Sequence, residues 1–385
     1  MIYLLTLAGL LVAFANGAND NAKGVVTLIG SRMASARSAL RWANLTTFIG
    51  ALSAIPMALL VNAALLKAFG GSGLLPPSFS IDAQYLTAVG LSAALTVLLA
   101  TRIGLPISTT HSLVGALVGA GLVAVGPTNI VWSALGTKFV LPLLLSPVLA
   151  AAVTFVLYPL IHRLMLVANI QEELCICIEN AYVTVVDDNG TMILASSGRM
   201  LTFDEAQRCE TRFAGTALTL PIHRVLAVGQ FVTGGLVSFA RGLNDTPKIA
   251  GILVAAGTMG FANGETHRIF SEAPVMTAVA ITMLLGGVLF AHRVAKTMSE
   301  EITTMNGEQG LLASLDTATL VLLASFSGLP VSTTHVSVGA LFGIGFANGT
   351  ARLNTIATIV MAWVTTFPLA ALIGVGIYAI LRTHR

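Results

Sequence analysis

The sequence predicts an all-α polytopic membrane protein made of two inverted-topology repeats with broken helices, plus a small soluble α/β insert. Of its 385 residues, 55% are hydrophobic and only 10% are charged, whereas about a quarter of residues are charged in soluble proteins. Apolar stretches recur at about the twenty-residue length that a membrane-spanning helix needs. The third observation is that two polar motifs occur twice, once in each half.

The duplication is visible in two motif pairs. Residues 14–23, FANGANDNAK, return as residues 239–248, FARGLNDTPK, at an offset of 239 − 14 = 225 and with six of ten positions identical. Residues 104–111, GLPISTTH, return as residues 328–335, GLPVSTTH, at an offset of 328 − 104 = 224. Because both pairs keep their order and nearly the same spacing, we predict two membrane repeats that share one central site.

The segment between the repeats differs in composition. We predict a first membrane repeat at residues 1–168, a soluble insert at 169–221 and a second membrane repeat at 222–385. The insert has eight acidic residues against three arginines, and residues 182–194 have the pattern of a β-hairpin with an Asn-Gly turn. It also carries all three cysteines, for which we expect free thiols rather than a disulfide or a metal site: Cys175, Cys177 and Cys209.

The apolar windows predict the helices in order. In the first half they indicate a helix at 2–16 that breaks at 17–20 and resumes to 30, helices at 42–66 and 83–102, a Gly-rich helix ending at Val125, and two spans within 129–168 separated near Pro142 or Pro147. In the second half they indicate a helix at 222–240, a break at 242–245 with continuation to 257, helices at 273–291, 310–327 and 352–381, and a loop at 292–308.

The basic loops predict the orientation. Loop 31–41 carries three arginines and is expected in the cytoplasm, which places loop 67–82 outside. In the second half the first loop, 258–272, is weakly charged, and the second contains Arg293 and Lys296. This exchange is what two repeats of opposite orientation would produce. It puts the insert in the cytoplasm and both termini outside.

Two acidic residues lie within apolar helices. An ionised carboxylate in the middle of a membrane costs at least about 2.5–3.5 kcal/mol, so Asp20 and Asp245 are candidates for a functional site. Asn19 and Asn244 add carbonyl oxygens. Hard oxygen ligands at an unwound helix suit Na⁺ or a proton. The alternative is that each aspartate only caps a helix or pairs within the core.

Each aspartate is followed three residues later by a lysine, so Lys23 and Lys248 can share a helix face with Asp20 and Asp245. Two interpretations remain open. The pairs could merely lower the free-energy cost of burying the charges. Alternatively, the two lysines bind an anion, or they stand where a coupling cation would otherwise bind.

The GLPxSTTH motifs have the composition of helix starts, with a proline near the first turn and hydroxyl residues that can cap it. Hydroxyls, free N–H groups and the positive end of the helix dipole together form an anion site. His111 and His335 could titrate, donate to the anion or be structural. No nucleophile-elbow pattern surrounds these residues, so an enzyme is not expected. The candidate anion ligands are Ser108, Thr109, Thr110, Ser332, Thr333 and Thr334.

These motifs resemble those of the inorganic phosphate transporter (Pit) family, whose halves each carry a Gly-Ala-Asn-Asp-type and a Gly-Leu-Pro-x-Ser-Thr-Thr-His signature. The resemblance covers nearly the whole chain except the insert. It implies a secondary transporter with inverted repeats, usually a homodimer, that moves phosphate with Na⁺ or H⁺. It assigns the cation and coupling role to Asn19, Asp20, Asn244 and Asp245, and the two aspartates would ligate Na⁺ if Na⁺ is the coupling ion. The resemblance also assigns anion binding to the six Ser and Thr residues of the two GLPxSTTH motifs.

The sequence departs from the family pattern at several positions. Family members commonly have asparagine where this chain has Lys23 and Lys248, and histidine where it has Asn16 and Arg241. Where many carry a glutamate, this chain has Ser314, with Asp316 close by. We hypothesise that the lysine ammonium groups replace a bound Na⁺, which makes transport proton-driven or differently coupled.

The sequence therefore predicts a plasma-membrane symporter of inorganic phosphate with no cofactor beyond the coupling ion and no nucleic-acid partner. Lys23 and Lys248 join the candidate substrate-binding residues, and His111, His335 and Arg241 are further possible residues of the site. Three alternatives stay open: a transporter of another tetrahedral oxyanion such as sulfate, an intramembrane aspartyl protease that uses Asp20 and Asp245, and an anion channel.

Overall fold

The computed structural model describes residues 1–58, 63–71, 73–167, 174–186, 191–205, 218–257 and 269–383. Within these ranges, seven helices are long and apolar enough to cross a membrane. They are Ile2–Gly24, Ala83–Arg102, Trp132–Val167, Ile222–Gly257, Glu272–Phe290, Gly307–Phe326 and Leu353–Thr383. The protein is therefore a mostly helical, multi-pass membrane protein, as the composition predicts.

The first half contains seven α-helices of five or more residues among its described residues. They are α1 (Ile2–Asp20), α2 (Val26–Gly30), α3 (Ala36–Met57), α4 (Ala63–Phe69), α5 (Ala83–Arg102), α6 (Thr109–Val125) and α7 (Leu141–Val167). A 3₁₀ turn, Asn21–Gly24, joins α1 to α2, and a π-helical segment, Leu135–Val140, leads into α7.

The second half contains six α-helices among its described residues. They are α8 (Ile222–Gly257), α9 (Glu272–Phe290), α10 (His292–Lys296), α11 (Gly307–Phe326), α12 (Thr333–Asn348) and α13 (Leu353–Thr383). The two shortest of the motif-bearing helices, α6 and α12, begin within the GLPxSTTH signatures, at the first threonine of each, as the helix-start composition predicts.

The predicted helix breaks need correction. In the first half α1 continues to Asp20, and the irregular turn comes at Asn21–Gly24. In the second half the predicted break is wrong, because α8 runs without interruption from Ile222 to Gly257. Pro247 removes one backbone donor from this helix. Membrane helices tolerate such a proline when hydroxyl side chains bond to the nearby backbone, and Thr246 Oγ1 donates to Gly242 O over 2.7 Å.

Two further boundaries differ from the prediction. Residues 132–167 form one span rather than two. Pro142 lies in the first turn of α7, directly after the π-helical segment, so the hydrogen-bond register changes there without ending the helix. The predicted loop 292–308 contains α10 and a second π-helical segment, Thr297–Glu301.

In both copies of the first motif, the glycine at the fourth position allows two helices to approach closely. A methyl group at Gly17 in α1 would collide with the backbone of Met283 in α9, and one at Gly242 in α8 would collide with the backbone of Thr47 in α3. Small residues at such crossings let membrane helices pack backbone against backbone. Each half thus contributes a motif helix that packs against a helix of the other half.

The insert forms an antiparallel sheet in the order β2-β1-β3. Its strands are β1 (Leu174–Val186), β2 (Met192–Glu205) and β3 (Leu218–Pro221). Val186 pairs with Met192, which confirms the predicted hairpin, while its Asn-Gly turn lies outside the described residues. Between 174 and 221 the described residues are all in or next to strands, so they include no helical part of an α/β insert.

The chain divides into two compact units. One comprises Met1–Tyr158 and Gln230–Arg385, and the other comprises Pro159–Gly229. The second unit contains the sheet together with the ends of α7 and α8, so it is longer than the predicted 169–221. Both motif pairs lie in the first unit.

Candidate functional site

Lys23 lies in the 3₁₀ turn after α1, and its side chain is fully buried. Its ammonium forms an ion pair with Asp20 and donates to Asn19 Oδ1 over 2.9 Å. It also donates to Ile107 O over 2.7 Å and to Thr334 Oγ1 over 2.5 Å. Four oxygens thus surround this nitrogen, three from the first half and one from the second.

Lys248 repeats this arrangement with the halves exchanged. Its ammonium lies 3.0 Å from Asp245 Oδ1 and donates to Val331 O over 2.6 Å and to Thr110 Oγ1 over 3.1 Å. Val331 and Thr110 occupy the same motif positions as the carbonyl and hydroxyl partners of the first lysine. Each lysine therefore binds a carbonyl of its own half and a threonine of the other half.

Asn16 connects the two aspartates. Its Nδ2 donates to Asp20 Oδ2 over 2.8 Å and to Asp245 Oδ2 over 3.3 Å. It also lies 3.1 Å from Thr109 Oγ1, which in turn donates to Asp20 Oδ2 over 3.0 Å. The carboxylates are thus bridged by an amide, an arrangement that the sequence reasoning did not predict for Asn16.

Arg241 is wholly buried at the same place. Its Nη2 donates to Asn16 Oδ1 over 2.9 Å, its Nη1 to Asn21 Oδ1 over 2.5 Å, and its Nε lies 3.8 Å from Asp245 Oδ2. Five buried charged groups meet here, which we call the ion-pair cluster: Asp20, Lys23, Arg241, Asp245 and Lys248. Three cations and two carboxylates give the cluster a formal charge of 3 − 2 = +1, which favours an anion.

The helices α6 and α12 begin at the ion-pair cluster. Ser108 caps α6 by accepting from His111 N over 3.1 Å, and Ser332 caps α12 by accepting from His335 N over 3.3 Å. The capping role is as predicted, and each motif proline lies near the first turn, two residues before the cap. Because helix starts carry partial positive charge, both ends add to the positive field at the cluster.

Each motif asparagine donates a hydrogen bond to a hydroxyl group of its own half. Asn19 Nδ2 donates to Thr101 Oγ1 over 3.0 Å, while Asn244 Nδ2 donates to Ser325 Oγ over 3.0 Å. The sequence reasoning missed Thr101 and Ser325. Their offset, 325 − 101 = 224, equals that of the GLPxSTTH motifs, so a search for further repeated polar positions would have found them.

Four buried polar atoms in the second-half motifs have no hydrogen-bond partner within the described chain: Arg241 Nε, Asn244 Oδ1, Thr333 Oγ1 and His335 Nε2. Two of them have satisfied counterparts in the first half, since Asn19 Oδ1 accepts from Lys23 and Thr109 Oγ1 donates to Asp20. Buried polar groups are nearly always paired in native proteins. The unpaired atoms are therefore available to a ligand.

His111 and His335 lie apart from the hydrogen bonds of the ion-pair cluster. Their ring centroids are 4.5 Å apart, and His335 lies 4.0 Å from the ring of Trp363 in α13. They line an apolar cavity of about 320 Å³ between α6, α7, α12 and α13. Ser314 also has a structural contact, with its Oγ 2.5 Å from Thr27 Oγ1.

The geometry separates the candidate residues into two groups. The hydrogen bonds and ion pairs of the cluster bring together Asn16, Asn19, Asp20, Lys23, Thr109, Thr110, Arg241, Asp245, Lys248 and Thr334, whereas Asn244 bonds to Ser325, Ser108 and Ser332 cap helices, and the two histidines line the apolar cavity. Thr333 is buried in the first turn of α12, and its hydroxyl has no hydrogen-bond partner among the described residues. In the described part of the chain, no group of three or more His, Cys, Asp or Glu side chains could hold a metal ion.

Comparison with known proteins now identifies the family. The model of the phosphate transporter family matches residues 16–374. The chain belongs to this family. It is 28% identical to a protein of Pyrococcus abyssi that carries the name phosphate permease, over 98% of this chain and 97% of that protein. It is also 28% identical to the chloroplastic inorganic phosphate transporter 2-1 of Arabidopsis thaliana, over 97% of this chain and 71% of that protein.

Membership of the phosphate transporter family confirms the predicted resemblance and makes the protein a transporter rather than an enzyme. The protease alternative is therefore wrong. The geometry gives a physical reason, because each aspartate is paired with a lysine and a bridging amide separates the two carboxylates. The carboxyl groups do not share a proton as a catalytic dyad would.

A solved structure has the same fold. It is described as the sodium-dependent phosphate transporter, with a TM-score of 0.71, 24% sequence identity and coverage of 99% of both chains. The similarity extends over both motif pairs and the insert.

Proposed function

We propose that this transporter carries inorganic phosphate across the plasma membrane by symport, with the ion-pair cluster as its substrate site. The observation that carries the proposal is the net positive, buried cluster at which two helix starts and the threonines of both halves converge. The names of the relatives support phosphate as the substrate.

The chemistry of the cluster suits a tetrahedral oxyanion. Lys23 and Lys248 now donate to the carbonyls of Ile107 and Val331 and to threonine hydroxyls. When phosphate enters, its oxygens can accept hydrogen bonds from these ammonium N–H and threonine O–H groups. The free Nε of Arg241 and the hydroxyl of Thr333 supply two more donors without breaking any existing hydrogen bond.

The exchanged contacts of the lysines support two inverted repeats around one midplane site. Each motif helix packs against a helix of the other half, and each lysine binds a threonine of the other half. Such a site between two repeats is typical of alternating access, in which one repeat rocks against the other around the substrate.

We further propose that protons, not Na⁺, drive this transport. Oxygens of Asp20, Asn19, Ile107 and Thr334 surround the ammonium of Lys23. Carboxylate, amide and carbonyl oxygens are the ligands that hard cations prefer. A lysine that fills this set of ligands with its own positive charge leaves no role for a bound Na⁺.

Uptake by purified protein in vesicles tests the substrate. We expect labelled phosphate to accumulate when an ion gradient is imposed, arsenate to compete with it, and sulfate to compete at least tenfold less well. Accumulation of sulfate in place of phosphate would support the oxyanion alternative. Phosphate flux that only ever follows its own concentration difference, with no accumulation whatever ion gradient is imposed, would instead indicate a channel.

The resemblance to the Pit family also supports a homodimer. The matching test is the molecular mass of the purified protein in detergent, measured by light scattering. A mass of one protein chain would contradict the dimer without affecting the assignment of the substrate site.

A further inference from the structure

A groove on the outside of the helix bundle has a polar end and an apolar end. It lies between α3 and α9 and has a volume of about 410 Å³. Arg37 and Arg41 line it from the first two turns of α3, and His292 lines it from just beyond the end of α9. All three side chains are exposed. The basic end therefore lies where two membrane helices reach the same edge of the bundle.

The groove becomes apolar further along the helices. Leu45 and Phe48 line it from α3, and Leu284 and Val288 line it from α9. Leu45 is 51% exposed and Val288 is 63% exposed. With a rise of 1.5 Å per residue, Phe48 lies roughly 16 Å along α3 from Arg37. The groove is thus long enough for a headgroup at one end and part of an acyl chain along its length.

The charge of the groove selects its occupant. Among the described residues, no carboxylate lines it, and the three titratable side chains that do are all basic. A free phosphate ion would leave the apolar walls uncovered, and a zwitterionic lipid would not match the charge of the arginines. Basic pockets between transmembrane helices are known to bind anionic lipid headgroups.

We propose that this groove is a binding site for an anionic phospholipid, whose phosphate lies against Arg37 and Arg41 and whose acyl chain lies along Leu45, Phe48 and Val288. On the predicted topology, loop 31–41 faces the cytoplasm, so the site lies in the leaflet that carries most anionic lipid.

The groove is connected to the ion-pair cluster by hydrogen bonds. Asn44 lines the groove, and its Oδ1 accepts from Asn21 Nδ2 over 2.6 Å. Asn21 Oδ1 in turn accepts from Arg241 Nη1 over 2.5 Å, and Arg241 Nε lies 3.8 Å from Asp245. Gly287 forms the wall next to this pair, and a methyl group there would collide with both asparagine side chains. A bound lipid restrains Asn44, and through Asn21 it restrains the arginine of the transport site.

Lipid binding can be measured without any transport assay. Native mass spectrometry of the full chain in detergent gives the apparent Kd for phosphatidylglycerol and for phosphatidylcholine. We expect the Arg37→Gln/Arg41→Gln variant to bind phosphatidylglycerol about thirty-fold more weakly. This corresponds to about 2 kcal/mol at 1.4 kcal/mol per tenfold, the contribution of two arginines next to anionic lipid. Phosphatidylcholine binding should not change.

The matched control is Arg32→Gln/Arg352→Gln, which removes the same charge from residues that line a neighbouring cavity and not the groove. Unchanged phosphatidylglycerol binding by the groove variant, or an equal loss in the control, would overturn the proposal. So would a change in oligomeric state with unchanged lipid binding, which would assign the groove to a second copy of the chain. If the double variant does not fold, Arg41→Gln alone should weaken binding about five-fold.

A second variant tests the connection to the transport site. Asn44→Ala removes the hydrogen bond to Asn21 and leaves both arginines in place. We expect this variant, at phosphatidylglycerol contents that saturate its groove in the binding measurement, to lose the stimulation of phosphate uptake that wild-type protein shows when phosphatidylglycerol is added to phosphatidylcholine vesicles. Retained stimulation in Asn44→Ala would contradict the connection, although the lipid site itself would stand on the binding result.

Discussion

At the scale of single residues, the protein combines carboxylates and amines that would each be costly alone in a membrane. Asp20 and Asp245 are each neutralised by a lysine three residues later, and Asn16 holds the two carboxylates together. Breaking a buried pair by removing one partner typically costs about 3–5 kcal/mol. The function of these residues is therefore best tested with substitutions that keep their size and hydrogen-bonding oxygen.

We expect Asp245→Asn to reduce phosphate uptake to background while the protein stays folded. The amide keeps an oxygen for Lys248 but removes the negative charge that balances Lys248 and Arg241. Uptake of labelled phosphate in vesicles measures the loss, and size-exclusion chromatography checks folding. Asp82→Asn is the control, since Asp82 caps α5 and asparagine caps helices equally well. Normal uptake by Asp245→Asn would contradict the assigned role.

The lysines allow a test of the coupling ion. In the Lys23→Asn/Lys248→Asn variant, the oxygens that now bind ammonium groups would be free to bind a cation. We therefore expect uptake to become at least tenfold dependent on Na⁺. Lys296→Asn, at an exposed position in α10, should leave the ion dependence unchanged. If the double variant takes up phosphate equally well with and without Na⁺, the lysines do not replace a cation.

The sequence was sufficient to predict the local contacts of the site but not those between the halves. The pairing of Asp20 with Lys23 follows from a spacing of one helical turn. The bond from Lys23 to Thr334 spans 311 residues and depends on where α12 begins relative to α1, which no local pattern specifies. The histidines illustrate the same limit, because a one-residue step from Thr110 to His111 turns the side chain to the other side of α6.

At the scale of elements, glycines determine how closely the helices pack. A methyl group at Gly119 in α6 would collide with the backbone of Ala371 in α13, and one at Gly343 in α12 would collide with the backbone of Ala151 in α7. These contacts fix the positions of the two helices that begin at the ion-pair cluster, the proposed anion site. The shape of the site therefore depends on residues far from it along each helix.

We expect Gly119→Val to destabilise the protein by about 1–3 kcal/mol, the usual cost of forcing extra carbons into a packed interface. Thermal unfolding in detergent, monitored by tryptophan fluorescence, measures the change. Gly376→Val in α13 is the matched control, because no atom lies within 4 Å of a methyl group placed there. An equal decrease in both variants would show that helix propensity, and not the close approach, causes the loss.

The helices themselves were largely predictable, and the errors have identifiable causes. α5, α9 and α11 begin and end within a few residues of the predicted positions because their apolar windows are bounded by polar residues or loops. The predicted break in α8 is wrong because the polar side chains of Arg241 and Asp245 both form hydrogen bonds with Asn16 of α1. Such partners satisfy charged groups without unwinding the backbone.

At the scale of the whole molecule, the proposed transport site and the sheet of the insert belong to separate compact units. Every residue of the ion-pair cluster and of the groove between α3 and α9 lies in the unit formed by Met1–Tyr158 and Gln230–Arg385. We expect replacement of residues 174–221 by a flexible Gly/Ser linker to leave the rate of phosphate uptake within about twofold of wild type. A loss of uptake by a variant that is still folded would give the insert a direct part in transport.

We propose that the two lysines supply the positive charge that a bound Na⁺ would otherwise provide. The most direct measurement is the uptake of labelled phosphate by wild-type protein in sealed vesicles, with Na⁺ and pH gradients imposed separately. If the lysines take the place of Na⁺, an inward proton gradient drives accumulation in the complete absence of Na⁺. Uptake that collapses without Na⁺ and ignores the pH gradient would contradict it.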